Sequence, residues 1–131
     1  MKIGELAVAT GCPIETIRYY ERSGLLAAPI RSAGNYRVYG ADHQERLAFI
    51  RHCRLLDMSL DEVRRLLHFR DSPQAACGEV NAMLDAHLTN VQARITSMRA
   101  LEAQLIALRS RCSQTQRAAQ CGILHELGSV S

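Results

Sequence analysis

Residues 13–24 read Pro-Ile-Glu-Thr-Ile-Arg-Tyr-Tyr-Glu-Arg-Ser-Gly, and this stretch decides the fold. Proline suits the first position of a helix, because the N–H that it lacks would have no partner there, and glycine favours a helix end. The stretch therefore predicts a helix that begins at Pro13 and ends at Gly24. Upstream, an apolar face formed by Ile3, Leu6 and Ala7 predicts a shorter helix that stops at Gly11. Two short helices joined by a glycine-containing turn predict a helix-turn-helix.

A wing is predicted directly after this helix pair. Pro29 breaks the chain, and the residues from Ile30 to Tyr39 predict two short strands about an Ala-Gly-Asn turn. The helix-turn-helix and the wing together predict a winged helix-turn-helix head.

Two more helices are predicted after the wing. Asp42 has the side chain of a helix N-cap for the third helix. The inward residues of that helix are predicted to be Leu47, Ile50 and Leu55. Ser59 and Glu62 have the spacing of a capping box for a fourth helix, which the Asp-Ser-Pro sequence at 71–73 ends. Its inward residues are predicted to be Val63, Leu66 and Leu67.

From Gly78 the pattern changes to one long helix without Gly or Pro up to Cys112. Apolar residues recur every three or four positions and are Val80, Leu84, Leu88, Val91, Ile95, Met98, Leu101, Leu105, Leu108 and Cys112. A seam sustained for more than four heptads predicts a coiled coil. The alternative is a helix packed on its own domain, but a length of about 50 Å exceeds a small domain. Most of the stripe would be wet in a monomer, so we predict a dimer.

The composition limits the class of protein. The chain has 131 residues, of which 5% are aromatic and none is Trp, so a partner chain would supply apolar surface that one chain lacks. No apolar run approaches the length of about 20 residues that a membrane span needs, and the start of the chain does not have the pattern of a signal peptide. We therefore expect a cytoplasmic protein without membrane contact.

The five cysteines lie far apart, with no C-x-x-C pair and an odd number in total. In a reducing compartment this pattern favours metal or thiol chemistry over disulfides. Cys12 and Cys53 lie within apolar helical patterns and are expected to be small buried residues. The candidate metal ligands are Cys77, Cys112 and Cys121.

Two of these ligands are close in sequence and the third is not. Cys112 and Cys121 lie nine residues apart across a polar loop, so both sulfurs can reach one soft ion. Cys77 lies at the other end of the long helix, about 50 Å away, and cannot share that ion within one chain. An antiparallel dimer would place the start of one long helix beside the end of the other. Each of two equivalent sites would then combine Cys77 of one chain with Cys112 and Cys121 of the other.

The expected fold is mainly α, with a winged helix-turn-helix DNA-binding head and a long C-terminal antiparallel coiled-coil dimerisation helix. Residues 1–70 form the DNA-binding region, in which 42–70 are the connecting helix pair. Residues 71–77 are a linker and 78–112 the dimerisation helix. Residues 113–131 are predicted to be a metal-binding loop and C-terminal tail.

Three other classes of protein compete with a metal sensor. An iron–sulfur redox sensor needs four closely spaced thiolates in the tail, which has two. A thiol oxidoreductase needs an activated thiol with a resolving partner, and the sequence has no C-x-x-C. The chain is therefore not expected to be an enzyme. The alternative to sensing is a DNA-binding regulator or architectural protein with structural cysteines and no metal response.

Short motifs along the whole chain resemble the MerR family of transcriptional regulators. In the head they are residues 3–7 (IGELA), 15–21 (ETIRYYE), 24–26 (GLL), 31 and 35–39 (NYRVY). Residues 51–58 (RHCRLLDM), 77–81 (CGEVN) and 121–124 (CGIL) resemble more narrowly its cadmium- and lead-responsive branch. The resemblance implies a dimeric activator of transcription that serves metal resistance.

The resemblance also implies which residues contact DNA. Those facing the major groove from the second helix would be Thr16, Arg18 and Tyr19. Those of the wing, holding phosphates and the minor-groove side, would be Arg31, Asn35, Tyr36 and Arg37. The implied mechanism is that the dimer occupies double-stranded promoter DNA and, when metal binds, bends and untwists it so that both promoter elements face RNA polymerase.

The donor set favours a soft divalent ion as the effector. Three thiolates without a nearby His suit soft metals, and by resemblance Cys77 stands where the monovalent copper sensors of the family have Ser. Ser113 and the lack of His from 113 to 120 depart from the zinc-sensing branch. The expected order is Pb(II) and Cd(II) together, then Hg(II), then Zn(II). His87 and Glu62 are left open as an accessory metal site.

Overall fold

The computed structural model of the chain describes residues 1–129. Its elements follow in the order α1 (Ile3–Thr10), α2 (Ile14–Arg22), β1 (Ile30–Arg31), β2 (Arg37–Val38), α3 (Ala41–Leu55), α4 (Leu60–Arg70), α5 (Gly78–Arg109) and α6 (Gly122–Leu127). A 3-10 turn, Ala118–Gln120, lies between α5 and α6. The prediction of a mainly helical fold is therefore confirmed. Within this described part, no helix combines the length and apolarity that a membrane crossing needs. Val130 and Ser131, which end the predicted tail, lie outside the described residues.

α1 and α2 form the predicted helix pair. α1 ends at Gly11, whose φ of +70° is the left-handed conformation that favours glycine, and the N–H of Gly11 donates to the carbonyl oxygen of Ala7. Pro13 is the N-cap of α2 and not its first helical residue, one position from the prediction. The chain leaves α2 through Gly24 at φ +77°. Both glycines therefore end helices, as predicted.

β1 and β2 form the predicted wing. They pair antiparallel, with Arg31 opposite Arg37. In the turn between them, Asn35 adopts a φ of +63°, a conformation that Asn tolerates better than most residues. The N–H of Asn35 donates to the carbonyl oxygen of Ser32 at 2.9 Å, which closes the turn.

α3 differs from the prediction at both ends. Its N-cap is Gly40, whose N–H donates to Nδ1 of His43, so the predicted cap Asp42 is wrong and lies inside the first turn. The imidazole satisfies the N–H at the helix start, and no carboxylate is needed there. Leu55, predicted to point inward, is 69% exposed. It lies two positions, about 200° around the helix, from the buried Cys53.

The capping box predicted for α4 is present. Ser59 Oγ accepts a hydrogen bond from the N–H of Glu62 at 3.1 Å, and Glu62 Oε1 accepts one from the N–H of Ser59 at 2.9 Å. These bonds satisfy two N–H groups that a helix start leaves without backbone partners. Among the predicted inward residues, Val63 and Leu67 are buried and Leu66 is half-buried.

The first unit of the chain, Met1–Met83, has its own apolar core. Helices α1 to α4 pack around it. Residues without any exposed surface include Leu6, Ile17, Leu47, Ile50 and Val63. Each fully buried aliphatic side chain stabilises the fold by about 1.5–3 kcal/mol. The head therefore folds around side chains of a single chain.

Arg46 of α3 connects distant parts of the head. Its Nε donates to the carbonyl oxygen of Leu25 at 2.6 Å, and its Nη1 donates to both carboxylate oxygens of Asp71 at 2.9 and 3.0 Å. Charge-assisted bonds of this kind are stronger than neutral ones. One side chain thus ties the segment after α2 to the end of α4.

The second unit begins at Leu84 and contains most of α5 and all of α6. None of its described residues, 84–129, is buried. Most of the apolar seam predicted on α5 is open to solvent, with exposed fractions from 44% at Leu84 to 64% at Met98, while Val80, Val91 and Leu108 are half-buried. α5 has 32 residues, which corresponds to a length of about 48 Å. A long helix with such a stripe needs apolar surface from elsewhere.

α5 ends at Arg109, three residues before the predicted end at Cys112. The N–H of Arg111 donates to the carbonyl oxygen of Leu108, and that of Cys112 to Arg109. Bonds to the third preceding residue are the tighter 3-10 pattern common at helix ends. Cys112 therefore lies in the turn that leads from α5 into the loop.

Candidate nucleic-acid interface and metal centre

α2 turns one face to the core and the other to solvent. Ile17 and Tyr20 are buried, whereas Arg18 and Tyr19 between them are exposed and Thr16 is half-buried. The side chains at 17 and 20 share a face because residues three apart are neighbours on a helix. Burial of that face fixes the orientation of α2 and leaves Arg18 and Tyr19 free to contact a ligand.

Charged side chains gather where α2 adjoins the wing. A surface depression is lined by Ile3, Arg18, Glu21, Arg22 and Arg37. Nη1 of Arg37 lies 3.8 Å from Oε2 of Glu21. Three arginines and one glutamate thus line the depression, which leaves an excess of positive charge suited to phosphate. Arg22 was missed from the sequence, although its spacing of four from Arg18 indicates that both lie on the same helix face.

Tyr39 holds Glu21 in this arrangement. The Tyr39 hydroxyl donates to Oε1 of Glu21. Burial raises the pKa of Tyr39, and the Glu21 carboxylate raises it further, so the hydroxyl stays protonated and keeps donating. Glu21 therefore connects α2 with the end of the wing, and the exposed arginines are placed by this connection.

The wing residues predicted to hold DNA are all exposed. Nη1 of Arg31 donates to the carbonyl oxygen of Asn35 at 3.3 Å, across the turn. Tyr36 is 64% exposed, and Nζ of Lys2 lies 5.6 Å from the centre of its ring, within cation–π range. Lys2 was missed because nothing in the sequence indicates that the start of α1 lies beside the wing.

The loop after α5 brings two of the predicted metal ligands together. The Cys112 side chain is near enough to Cys121 to contribute to lowering the pKa of the Cys121 thiol, and both residues are half-buried. The sulfur of Cys112 also lies 3.1 Å from the carbonyl oxygen of Gln114. Two neighbouring sulfurs are a donor pair for soft metal ions.

Cys121 is the N-cap of α6. The pKa of its thiol is lowered, chiefly by the backbone N–H of Leu124 in the first turn of α6. Desolvation opposes this effect, while the N–H of Ile123 and the thiol of Cys112 add to it. The thiolate is the form that binds metal, so the local backbone favours the reactive form of Cys121.

An ion pair joins α6 to the turn after α5. Nε of Arg111 lies 2.8 Å from Oε2 of Glu126, and both side chains are partly exposed. Arg109 Nη1 donates to the carbonyl oxygen of Cys112 at 2.6 Å. The loop that carries the two cysteines is thus closed by contacts at its base.

The other three cysteines lie elsewhere. Cys77 is exposed and directly precedes α5, whereas Cys112 follows its end. Within residues 1–129 of one chain, no three side chains of His, Cys, Asp or Glu converge on a point that could hold a metal ion. Cys12 and Cys53 are buried, as predicted, and burial raises the pKa of the Cys53 thiol.

The sequence matches two family descriptions. Residues 1–69 match the "MerR HTH family regulatory protein" and residues 44–108 match "MerR, DNA binding". The first range covers the helix-turn-helix, the wing, α3 and most of α4. The second continues along α5 almost to its end.

Individual proteins resemble the chain over most of its length. It is 46% identical over 111 residues to the HTH-type transcriptional regulator ZntR homolog of Haemophilus influenzae, which covers 85% of this chain and 82% of that protein. It is 34% identical over 126 residues to the mercuric resistance operon regulatory protein of Bacillus cereus, covering 96% of each. The crystal structure of the transcription regulator PbrR691 from Ralstonia metallidurans CH34 in complex with lead(II) is 48% identical, with a TM-score of 0.87 and coverage of 98% of this chain and 99% of that one. The similarity therefore includes the segment with Cys112 and Cys121.

Proposed function

The chain belongs to the MerR family of transcriptional regulators, and on that premise we propose that it is a cytoplasmic, metal-responsive activator that binds promoter DNA as a homodimer. The family consists of DNA-binding regulators and not of enzymes. The observation that carries the proposal is the proximity of Cys112 and Cys121 in the loop after α5, where Gly122 abuts the carbonyl group of Arg111.

Cys112 and Cys121 supply two of the three ligands in this proposal. The third is Cys77 of a second copy of the chain. Cys77 is exposed at the start of α5, and the described residues of one chain offer no third His, Cys, Asp or Glu beside the sulfur pair. An antiparallel pair of α5 helices places the start of one beside the end of the other, so each dimer has two equivalent sites.

The proposed effector is Pb(II) or Cd(II), followed by Hg(II) and then Zn(II). Thiolate sulfur favours soft ions, and no His lies within the loop from 113 to 120. Two relatives support this range: PbrR691 was crystallised with lead(II), and the Bacillus cereus relative is a mercuric resistance operon regulator. The residues present fit a soft ion held by sulfur.

The proposed DNA contacts lie on α2 and the wing. Those assigned to the major groove are Thr16, Arg18 and Tyr19. Those assigned to phosphates and the minor-groove side are Arg31, Asn35, Tyr36 and Arg37. The exposure of Arg18 and Tyr19 on α2 and the exposure of all four wing residues support this assignment. Arginine offers a planar fork that matches both phosphate and guanine edges.

The proposed dimer contact is the apolar stripe of α5. Six of its side chains between Leu84 and Leu105 are 44–64% exposed in the single chain, and Val91 is half-buried. Contact with a second α5 would remove this surface from water at about 25 cal/mol per Å². A coiled-coil seam of this length is long enough to hold two heads on one DNA site.

The proposed switch is a choice between dimer geometries. A bound ion supplies a link between three sulfurs. Cys112 and Cys121 then tie the loop of one chain to the start of α5 in the other, which favours one arrangement of the two heads. A changed arrangement distorts the DNA between them and presents both promoter elements to RNA polymerase.

A mixing experiment tests the shared site. A Cys77→Ser chain and a Cys112→Ser/Cys121→Ser chain are each titrated with Pb(II) in buffer with competing thiol, separately and after mixing through reversible unfolding. We expect no three-sulfur absorption from either homodimer. The mixture should show about a quarter of the wild-type signal, because random pairing makes half of the dimers mixed and each mixed dimer keeps one of two sites.

The control mixture pairs Cys77→Ser with a chain that lacks all three ligands, and it should show no three-sulfur absorption. Full three-sulfur absorption in the Cys77→Ser homodimer would show that Cys77 is not a ligand and would reject the shared site. If the two α5 helices were parallel, the first mixture would also show no three-sulfur absorption. Transcription from a promoter-bound wild-type dimer with and without Pb(II) separates a sensor from a DNA-binding protein with structural cysteines.

A further inference from the structure

Gly122 touches the backbone on the far side of the cysteine loop. It is the first residue of α6. A Cβ built on Gly122 would lie 2.5 Å from the carbonyl oxygen of Arg111 and 3.3 Å from its Cβ. Side-chain carbons essentially never approach an oxygen to less than 3.0 Å. The close approach of these two segments therefore requires glycine at position 122.

The backbone conformation does not explain this glycine. Its φ is not positive, unlike those of Gly11 and Gly24, so an alanine would adopt the same conformation. Alanine is also the better helix former, by about 1 kcal/mol inside a helix. What distinguishes Gly122 is the space that it leaves for the Arg111 carbonyl group.

The position of this contact couples it to the sulfur pair. Arg111 directly precedes Cys112, and Gly122 directly follows Cys121. If the backbone at Gly122 moves away from the backbone at Arg111, the sulfurs of Cys121 and Cys112 therefore move apart as well. Each cysteine is only one residue from the contact, so the chain cannot compensate for the movement. The neighbouring atom belongs to the backbone and cannot rotate away as a side chain would. Relieving the clash needs a shift of about 0.5–1 Å, whereas metal–ligand distances tolerate about 0.2 Å.

We propose that Gly122 is a positioning residue of the metal site, which sets the separation of Cys112 and Cys121 by allowing α6 to abut the carbonyl group of Arg111. The proposal rests on the proposed function for its consequence in metal binding, although the separation of the two sulfurs is a property of the metal-free chain. The ion pair between the side chains of Arg111 and Glu126, at 2.8 Å, also holds α6 against the turn after α5.

The test compares full-length Gly122→Ala with wild type. The matched control is Gly128→Ala at the other end of α6, where an added Cβ would lie 3.5 Å from the carbonyl oxygen of Leu124, an ordinary contact. A second variant, Glu126→Gln, removes the ion pair without adding an atom.

The first readout uses metal-free protein and dibromobimane, which becomes fluorescent when it joins two neighbouring thiols. Trypsin cleaves after Arg111 and Arg117, so a bridge between Cys112 and Cys121 is identified by mass as residues 112–117 joined to the peptide that begins at Ala118. Monobromobimane, which labels single thiols, controls for accessibility, and circular dichroism controls for folding of α5.

We expect bridging to fall severalfold in Gly122→Ala, to fall less in Glu126→Gln and to match wild type in Gly128→Ala, with single labelling unchanged. Pb(II) affinity under competing thiol should fall about 10- to 100-fold in Gly122→Ala, as for other residues that orient metal ligands. Wild-type bridging in Gly122→Ala would overturn the proposal, whatever the result for Glu126→Gln. Loss of bridging only together with loss of helicity would also overturn it, because the role would then be general folding. If wild type itself binds no soft ion, the proposed function fails, while the bridging results still decide the role of Gly122.

Discussion

The head has a buried apolar core, whereas the C-terminal unit, residues 84–129, has none. In the head, Leu6, Leu47 and Val63 have no exposed surface and belong to one continuous core. In residues 84–129, none is buried, and the apolar side chains of α5 face solvent. The head contains what it needs to fold, whereas the C-terminal unit has an apolar surface without a partner in the same chain.

The residues assigned to DNA binding and those assigned to metal sensing lie in regions that differ in how they are packed. The residues assigned to DNA lie on elements fixed by their own core, since Ile17 and Tyr20 anchor α2. The residues assigned to the metal site lie at the two ends of α5, whose apolar stripe is largely exposed in the single chain. In the proposed dimer, the metal site forms only on assembly, so a bound ion can bias how the two chains assemble.

The largest effect is expected from a charge in the exposed stripe of α5. Ile95→Glu places a carboxylate in the proposed dimer contact, at a cost of about 3–5 kcal/mol for each unpaired buried charge, and each dimer has two. Sedimentation should show monomers, and DNA affinity should collapse with dimerisation. The matched control is Ala93→Glu, which lies about 200° around the helix on the other face. A dimeric Ile95→Glu protein would contradict the assignment of this face.

A smaller and local effect is expected in the core of the head. Leu47→Ala should lower the free energy of unfolding of the head by about 2–5 kcal/mol, because Leu47 has no exposed surface. The chain has no Trp, and its four tyrosines lie between residues 19 and 39, so tyrosine fluorescence during urea unfolding reports the head alone. Val8→Ala, at a position that is 86% exposed, should change stability by less than about 0.5 kcal/mol. Equal effects of the two variants would mean that the core has been misassigned.

The smallest effect is expected at the DNA surface. Arg18→Ala should weaken operator binding by about 1–3 kcal/mol, with or without metal, and should leave metal affinity unchanged. Fluorescence anisotropy of a labelled operator duplex measures this change. Arg65→Ala removes the same charge from an exposed position of α4 outside the proposed contact and serves as the control. Unaltered binding by Arg18→Ala would show that α2 does not read the DNA as proposed.

Features of the fold that depend on neighbouring residues were predictable from the sequence. Gly11, Gly24 and the pair Ser59 and Glu62 mark helix ends through backbone conformation and short-range hydrogen bonds, and all appear where expected. The start of α3 was not predictable in the same way. It depends on His43, whose ring also packs edge-on against Tyr39 at 5.2 Å, and the sequence does not reveal that contact.

The candidate site shows the same division. The approach of Cys112 to Cys121 follows from their spacing across a polar loop, and in the structure Arg111 and Gly122, which flank the two cysteines, abut each other. The roles of Lys2 beside the wing and of Gly122 beside Arg111 depend on segments that meet only after folding. A lone lysine and a lone glycine have no spacing pattern that could have indicated them.

Because Cys12 and Cys53 are buried, the reactivity of their thiols reports when the core of the head opens. A reagent that counts thiols by absorbance reacts with thiolates, so it should detect three fast sulfurs in the folded chain and two slow ones. The slow pair becomes accessible only when the core of the head opens, because burial protects both and raises the pKa of Cys53. The rate at which the Cys12 and Cys53 thiols react therefore measures how often the core of the DNA-binding head opens. The measurement needs neither a tryptophan nor an attached dye.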